Sequence, residues 1–441
     1  MIALLLAVTL VAAEPTETQI LEQADARIER YRTGQAVLRL EGPGGKPLPA
    51  GSTVRIEQTN HAFLFGSNVY AFNKMKTPAE NAAYEEYFAK LFNFATLPFY
   101  WWAYEKRPGV TNRTEARKVA GWCRSHGIEM KGHPLAWNLV DPPWLKSMGA
   151  PEILDSQLRR IRREVDAFRG EIDIWDVANE ATSYDRKTTR QRGPLLTAMI
   201  TEVGVVDFAR AAFLEARRAN PQAVLIINDY RVDDAFADGI VSKLVDGNGE
   251  ALYDVIGIQS HQHNEAWSVK KTWDVCERYA RFGKPLHFTE TTFLSGEQAR
   301  NLKKKRGEEF VWASTPDGER RQTEEVVRFY TLLFSHPAVE AITWWDFSDQ
   351  RAWMGAPAGL LREDMTPKPA YWELRKLIKR KWWTSTEATI REGSSVSFRG
   401  FFGEYRVTWI SNGRRLSGTF RFDRDASMPI SLRLTERPSN D

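Results

Sequence analysis

Two hydrophobic periods alternate along this chain, one of two residues and one of about 3.6, which are the repeats of strand and helix. From His61 onward, short apolar runs recur, each ending in polar or aromatic residues and each followed by a stretch of helical spacing. The first covers 63–66, and the later ones end at Thr96-Leu97, His133, Asn179-Glu180, Asn228-Asp229, Gln259 to His261, Glu290 and Trp344-Trp345. Helical spacing predicts helices over 114–125, 150–168, 205–219, 236–245, 269–282 and 323–334, with one over 370–379 after the last strand. His126-Gly127, Phe282-Gly283 and Asn220-Pro221 carry the residues that stop helices. The fourth run, EIDIWDVANEAT from Glu171, is apolar on both sides of its alternation at Ile172, Ile174, Trp175 and Val177. That suits a strand buried on both faces, as in a parallel sheet. Eight such strands alternating with helices predict an α/β fold, the (β/α)8 TIM barrel. A doubly wound open sheet is the alternative, but no glycine-rich phosphate loop follows the first strand.

The two ends of the chain have a different texture. Residues 18–31 show helical spacing among charges, which predicts a surface helix. Alternating runs at 36–40 and 53–57 flank a loop rich in Gly and Pro, the signature of a β-hairpin, and 61–69 reads as a third strand. Beyond Lys381 short alternating strands return, with an Asn412-Gly413 turn. A segment of about 55 residues is small for a core of its own. These strands are therefore expected to pair with the hairpin of 36–58 in a small β-sandwich-like accessory domain beside the barrel. Phe401, Phe402, Tyr405 and Trp409 alternate as the core of such a domain would, and are read as structural rather than sugar-binding. The plan is a signal peptide over 1–13, an N-terminal helix and hairpin over 14–60, a barrel over 61–380, and a β-rich segment over 381–441.

Composition removes some classes of function. Lys and Arg number 61 against 57 Asp and Glu, a formal balance of +4, too small and scattered to argue for nucleic acid. Residues 1–13, MIALLLAVTLVAA, form an apolar run ending in small residues ahead of EPTETQ. That pattern predicts a signal peptide cleaved after Ala13, hence a secreted or periplasmic protein. The run is too short to span a bilayer, and no other stretch is a candidate membrane span. Cys123 and Cys276 lie in helical segments without metal-ligand spacing, so buried free thiols are expected and no cofactor is implied. The 16 Trp, 13 Tyr and 23 Phe suit either a large core or a surface on which sugar rings stack.

Candidate chemistry gathers at the strand ends, where a barrel collects its functional groups. Glu180 closes the fourth strand and Glu290 the seventh, nearly opposite each other across the mouth of an eight-stranded barrel. Facing carboxylates there can flank a glycosidic bond, about 5–5.5 Å apart in a retaining mechanism or about 6.5–9.5 Å apart in an inverting one. The alternative is that one or both are structural ion-pair partners. Other strand ends contribute His133 and Trp137, Asn228 and Tyr230, Gln259, His261 and His263, and Trp345 and Trp353. Together they predict a polar, aromatic-lined cleft. An imidazole hydrogen-bonded to Glu290 would favour its ionised, nucleophilic form. His133, His261 and His263 are the one conceivable metal set, and no ligand spacing supports it.

Taken in order, WDVANE, GHPLAW, NDY, GIQSH, the FTE of strand seven, and WDFSDQRAW followed by PKPAY resemble the motifs of glycoside hydrolase family 10. The likeness runs from about Phe63 to Leu377. The family consists mostly of endo-β-1,4-xylanases on a (β/α)8 barrel with a retaining mechanism. The resemblance implies Glu180 as general acid/base and Glu290 as nucleophile. It implies Asn179 on the 2-hydroxyl of the sugar being cleaved, and His261 with Gln259 positioning the nucleophile. His133, Trp137, Trp345 and Trp353 would line the nearest subsites. The chain departs from the family after strand two, where TLPFYWWAYEK replaces the usual Glu-Asn and Lys-Trp pairs that bind glycone sugars. Phe99, Tyr100, Trp101, Trp102 and Tyr104 are then either a hydrophobic plug or stacking surfaces for a different or substituted sugar chain. Asn138 stands where a second His is usual, and Asp346 where Gly is usual. The expected function is a retaining, endo-acting β-glycoside hydrolase on β-1,4-xylan or a related plant polysaccharide. A barrel glycosidase acting on β-glucan, decorated xylan or a small glycoside is the alternative, as is a non-catalytic carbohydrate-binding protein.

Overall fold

Eight parallel strands close into a barrel: β1 (Leu64–Asn68), β2 (Phe94–Pro98), β3 (Glu129–His133), β4 (Ile174–Asn179), β5 (Val224–Asp229), β6 (Val255–Gln262), β7 (Leu286–Phe293) and β8 (Val339–Trp344). They neighbour one another in sequence order, with β8 against β1. The structure is a computed structural model that describes residues 15–302, 311–411 and 413–436. The signal-peptide segment 1–13 and Asn412 of the expected turn lie outside the described residues.

Burial on both faces makes β4 and β7 strands despite their polar residues, since every residue of both is buried. Phe94, Ile174, Ile226 and Val255 form a cluster of their own from the amino-terminal halves of β2, β4, β5 and β6. Gly132 in β3 is required by packing: a Cβ there would lie 2.2 Å from the ring of the fully buried Trp175. Helices Arg113–Ser125, Ala150–Ala167, Val205–Ala219 and Val269–Ala280 follow the expected pattern.

Three helices differ. The expected helix over 236–245 is a short turn, Asp234–Ala237, and a 3-10 turn, Val241–Lys243. Between them Gly239 packs so closely on the Ala235 carbonyl that a Cβ would stand 2.2 Å from it. The helix before β8 begins earlier, at Pro316, because Thr315 caps it by accepting from Gly318 N–H. The N-terminal helix is broken at Gln23 into Glu17–Glu22 and Ala24–Arg32.

The N-terminal and C-terminal strands do combine in a two-sheet accessory unit, but 36–58 is not a hairpin. Thr33–Glu41 lies between Ser395–Phe401 and Ile430–Arg433 in one sheet. Thr53–His61 lies between Ser385–Thr389 and Gly403–Ser411 in the other. The Gly/Pro loop crosses from sheet to sheet, because the inward residues Leu38 and Leu40 share one core with Val54, Ile56, Tyr405 and Val407. Phe402 and Trp409 pack against that core, and Phe401 against the barrel's, in keeping with a structural role. Arg32 anchors the unit by donating to the Phe334 and Val339 carbonyls, both at 2.7 Å.

Candidate active site

At the carboxyl ends of the strands opens a cleft of about 1030 Å³, lined by Glu180, Glu290, Asn179, His133, Gln259 and His261 among others. Two register slips direct these side chains. One interrupts β4 against β5 between Asp176 and Ala178. The other interrupts β6 against β7 between Ile258 and Gln259, and sets Gln259 opposite Glu290. Such slips re-aim side chains at barrel rims. Glu180 itself sits in the left-handed region, at φ 55° and ψ 44°. A residue with a Cβ holds that conformation at a cost of about 1–3 kcal/mol, and only where its surroundings enforce it. Here Glu180 N–H donates to the Asn228 carbonyl at 2.8 Å, and Ser183 N–H donates to the Glu180 carbonyl at 3.0 Å.

The two carboxylates have different surroundings. Glu290 Oε2 lies 3.0 Å from His261 Nε2, and its Oε1 accepts from Asn228 Nδ2 at 3.1 Å. His133 Nε2 stands 3.9 Å from the same Oε1. Glu180 is pushed up to about 7, chiefly by burial, with Glu290 and Asp229 adding and the Arg186 guanidinium opposing. Its environment thus favours the protonated acid near neutrality. Gln259 donates to Asn179 Oδ1 at 3.2 Å and to Glu180 Oε1 at 3.5 Å. The expectation that Gln259 positions Glu290 is therefore corrected. The slip in β6 turns Gln259 toward β4, and the amide on Glu290 belongs to Asn228.

Beneath these groups lies a buried ionic layer. Lys131 Nζ and His133 Nδ1 both meet Asp176 Oδ2, at 2.7 and 2.6 Å. Burial pushes Asp176 up, but Lys131 and His133 outweigh it and hold the carboxyl below its ordinary range. The layer orients the His133 ring toward Glu290. Replacing Lys131 by Met strands a buried carboxylate and should destabilise the fold by about 3–5 kcal/mol. The urea midpoint is expected to fall accordingly. Adding Asp176→Asn should recover part of the loss, and an unchanged midpoint in the single variant would contradict this account.

The walls are aromatic, and the segment after β2 divides. Phe99, Trp101 and Tyr104 are buried: Phe99 packs on Trp175, Trp101 donates to Glu105, and Tyr104 donates to Glu164. Tyr100 and Trp102 line the cleft, with Tyr100 edge-on to His133 and Trp102 tilted against Trp137. The packing reading thus holds for Phe99, Trp101 and Tyr104, while Tyr100 and Trp102 face the cleft. Trp345 stands edge-on to His133, His261 and Tyr70, while Trp353, 49% exposed, caps His261 and His263 at the rim. Asn138 turns away and donates to the Tyr184 carbonyl and Thr197. Asp346 lies in the cleft lining, pushed up to about 6 by burial. His133 and His261 are both committed to carboxylates, and the described residues contain no group of three or more His, Cys, Asp or Glu that could hold a metal ion. Cys123 and Cys276 are buried free thiols.

Several site residues escaped the reading of the chain. Lys131 and Asp176 gave a signal, since charges inside an apolar strand must find partners. Asn228 was visible as a strand end, but its bond to Glu290 was not. Tyr70 and Arg186 sit in loops without any periodic cue.

Parallel barrels with two carboxylates facing one aromatic-lined cleft form a class to which many sugar hydrolases belong. Residues 57–377 match the family model described as glycosyl hydrolase family 10, and the chain belongs to that family. The chain is 28% identical over 284 residues to endo-1,4-beta-xylanase B of Thermotoga neapolitana, covering 61% of this chain and 75% of that one. It is 25% identical over 405 residues to the anti-sigma-I factor RsgI6 of Acetivibrio thermocellus, covering 90% of this chain. The chain spans about half, 48%, of that relative's length. Among solved structures, xylanase 10B of Thermotoga petrophila in complex with xylobiose matches with a TM-score of 0.58 at 23% identity, over 73% of this chain and 95% of that one. That likeness speaks to the fold. Among the described residues no helix is long and apolar enough to cross a membrane.

Proposed function

We propose that this chain is a retaining, endo-acting β-glycoside hydrolase whose substrate is β-1,4-xylan or a related plant polysaccharide. The observation that carries the reading is the contrast between two carboxyls in one cleft. Glu180 is buried and pushed up to about 7, while Glu290 is bound by His261 and Asn228. Glu290 attacks the anomeric carbon while Glu180 protonates the departing oxygen. Glu180 then takes a proton from the water that hydrolyses the glycosyl–enzyme bond. Asn179, fixed by Asn228 and Gln259, binds the 2-hydroxyl. His133, Trp137, Trp345 and Trp353 bind the neighbouring sugars. The barrel over 61–380 is the proposed catalytic unit, and export to the periplasm or beyond the cell is proposed from the apolar pattern of residues 1–13.

Reducing-sugar release from a panel of xylans, β-glucans and mannans, with Glu290→Ala as control, tests the assignment. Release from xylan with the anomeric configuration retained is the expected result, and a first product of opposite configuration overturns the nucleophile role. One other reading has an observation behind it. Tyr100 and Trp102 stand in the cleft where polar glycone-binding residues are usual, which favours β-glucan, decorated xylan or a small glycoside. A non-catalytic carbohydrate-binding protein is the remaining alternative, and it leaves the paired carboxyls of Glu180 and Glu290 without a use. Binding without release, identical in Glu290→Ala, would select the latter.

A further inference from the structure

The loop after β4 brings a cation into the cleft that the hydrolysis of a neutral glycan does not use. Arg186 NH1 lies 2.6 Å from Glu180 Oε2, yet that oxygen accepts no hydrogen bond, and Arg186 Nε is buried without a partner. The guanidinium lies 5.9 Å from the centroids of both Trp137 and Tyr230, so two aromatic rings flank it. A planar fork with unused donors, held between rings on which a sugar can stack, is built to receive a planar or tetrahedral oxyanion. Other cations stand around it. Arg192, from the same loop, and Lys271, after β6, line the cleft and have no carboxylate partner among the described residues. Across the mouth, beyond β1 and β8, Lys74 donates to the Tyr70 carbonyl and Arg351 to the Lys74 carbonyl, again without a carboxylate. The rim is thus positive above a floor that holds Glu180, Glu290 and Asp346, and such a field concentrates anionic ligands.

We infer that the substrate carries an anionic group, a uronate carboxylate or a sulfate ester, on a sugar unit next to the scissile bond, and that Arg186 receives it. The assignment rests on the hydrolase reading and narrows its substrate class. It also gives the Arg186–Glu180 contact a purpose. Arg186 opposes the protonated form of Glu180, as the Gln259 hydrogen bond does more weakly; burial, Glu290 and Asp229 favour it. An incoming anion that engages Arg186 removes that opposition, so Glu180 keeps the proton it must give to the leaving oxygen.

Titration calorimetry of the full chain with glucuronate-substituted xylo-oligosaccharides, their carboxyl-reduced counterparts and sulfate-substituted ones tests this, with sugar release measured in parallel. An anionic oligosaccharide is expected to bind about tenfold tighter than its neutral counterpart, as one charge-assisted contact allows, with the advantage shrinking as salt rises. Whichever anion shows the advantage identifies the group. Arg186→Gln should erase the advantage and Arg186→Lys should keep part of it. Equal binding of anionic and neutral oligosaccharides overturns the assignment, as does an equal loss on both in Arg186→Gln. Release without preference removes the role of Arg186 alone. Preference without release removes the hydrolase reading and leaves Arg186 as an anion receptor.

Discussion

Replacing Glu290 by Ala is expected to lower kcat on polysaccharide by about 10⁴-fold or more while the chain stays folded, because in the proposed mechanism its carboxylate forms the bond to the anomeric carbon. Losses of that order are what removal of a covalent nucleophile produces in other hydrolases. Glu290 is buried within β7 and bonded to His261 and Asn228, so truncation leaves a small space with hydrogen-bond donors around it. A small anion such as azide fits that description. In the Ala variant azide should restore turnover and yield a glycosyl azide of opposite anomeric configuration to the substrate. A variant with full activity, or a rescued product of unchanged configuration, contradicts the nucleophile assignment. Circular dichroism and the urea midpoint separate lost chemistry from lost fold.

Glu180→Ala carries the second largest expected effect, and its size should depend on the substrate. General acid catalysis contributes about 10²–10⁴-fold. That loss should appear in full on polysaccharide, whose leaving sugar needs a proton. On an aryl glycoside with an acidic phenol the first step should be nearly unaffected, because the phenolate leaves unprotonated. The pH profile gives an independent reading. The Glu180 carboxyl is pushed up to about 7 by burial first, and by Glu290 and Asp229 after that. Glu180 must carry its proton at the start, so kcat/KM on polysaccharide should hold below about pH 7 and fall about tenfold per unit above it. That basic limb should vanish in Glu180→Ala. Its persistence would assign the titration to another group.

Both variants rest on residues that the strand pattern made visible. Asn179-Glu180 ends an apolar run whose residues are all buried, and Glu290 lies within a second strand that is buried throughout and runs on to Phe293. The pairing of these residues was legible because parallel barrels carry their polar strand ends to one mouth, whatever the distance along the chain. Less legible were the partners. The pattern of 36–58 signals two strands and a turn-rich loop. It does not distinguish a hairpin from a crossing between sheets, since both bury the same alternate residues. The stretch Phe99 to Tyr104 is uniformly aromatic, and composition does not tell which rings face inward. A short helix over Trp101–Tyr104 turns Phe99, Trp101 and Tyr104 to the core and leaves Tyr100 and Trp102 to the cleft.

The sequence by itself determined the barrel, the accessory strands at both ends, and the placing of Glu180 and Glu290 at one mouth. Hydrophobic period reports which face of each element is buried, and eight alternations admit few topologies. Only the tertiary structure decided that Gln259 serves β4 and Asn228 serves Glu290, that Asp176 is neutralised by Lys131, and that Arg186 reaches Glu180. Each of these depends on a register slip or a loop path. Those are set by packing between segments distant in the chain, and no local period records them.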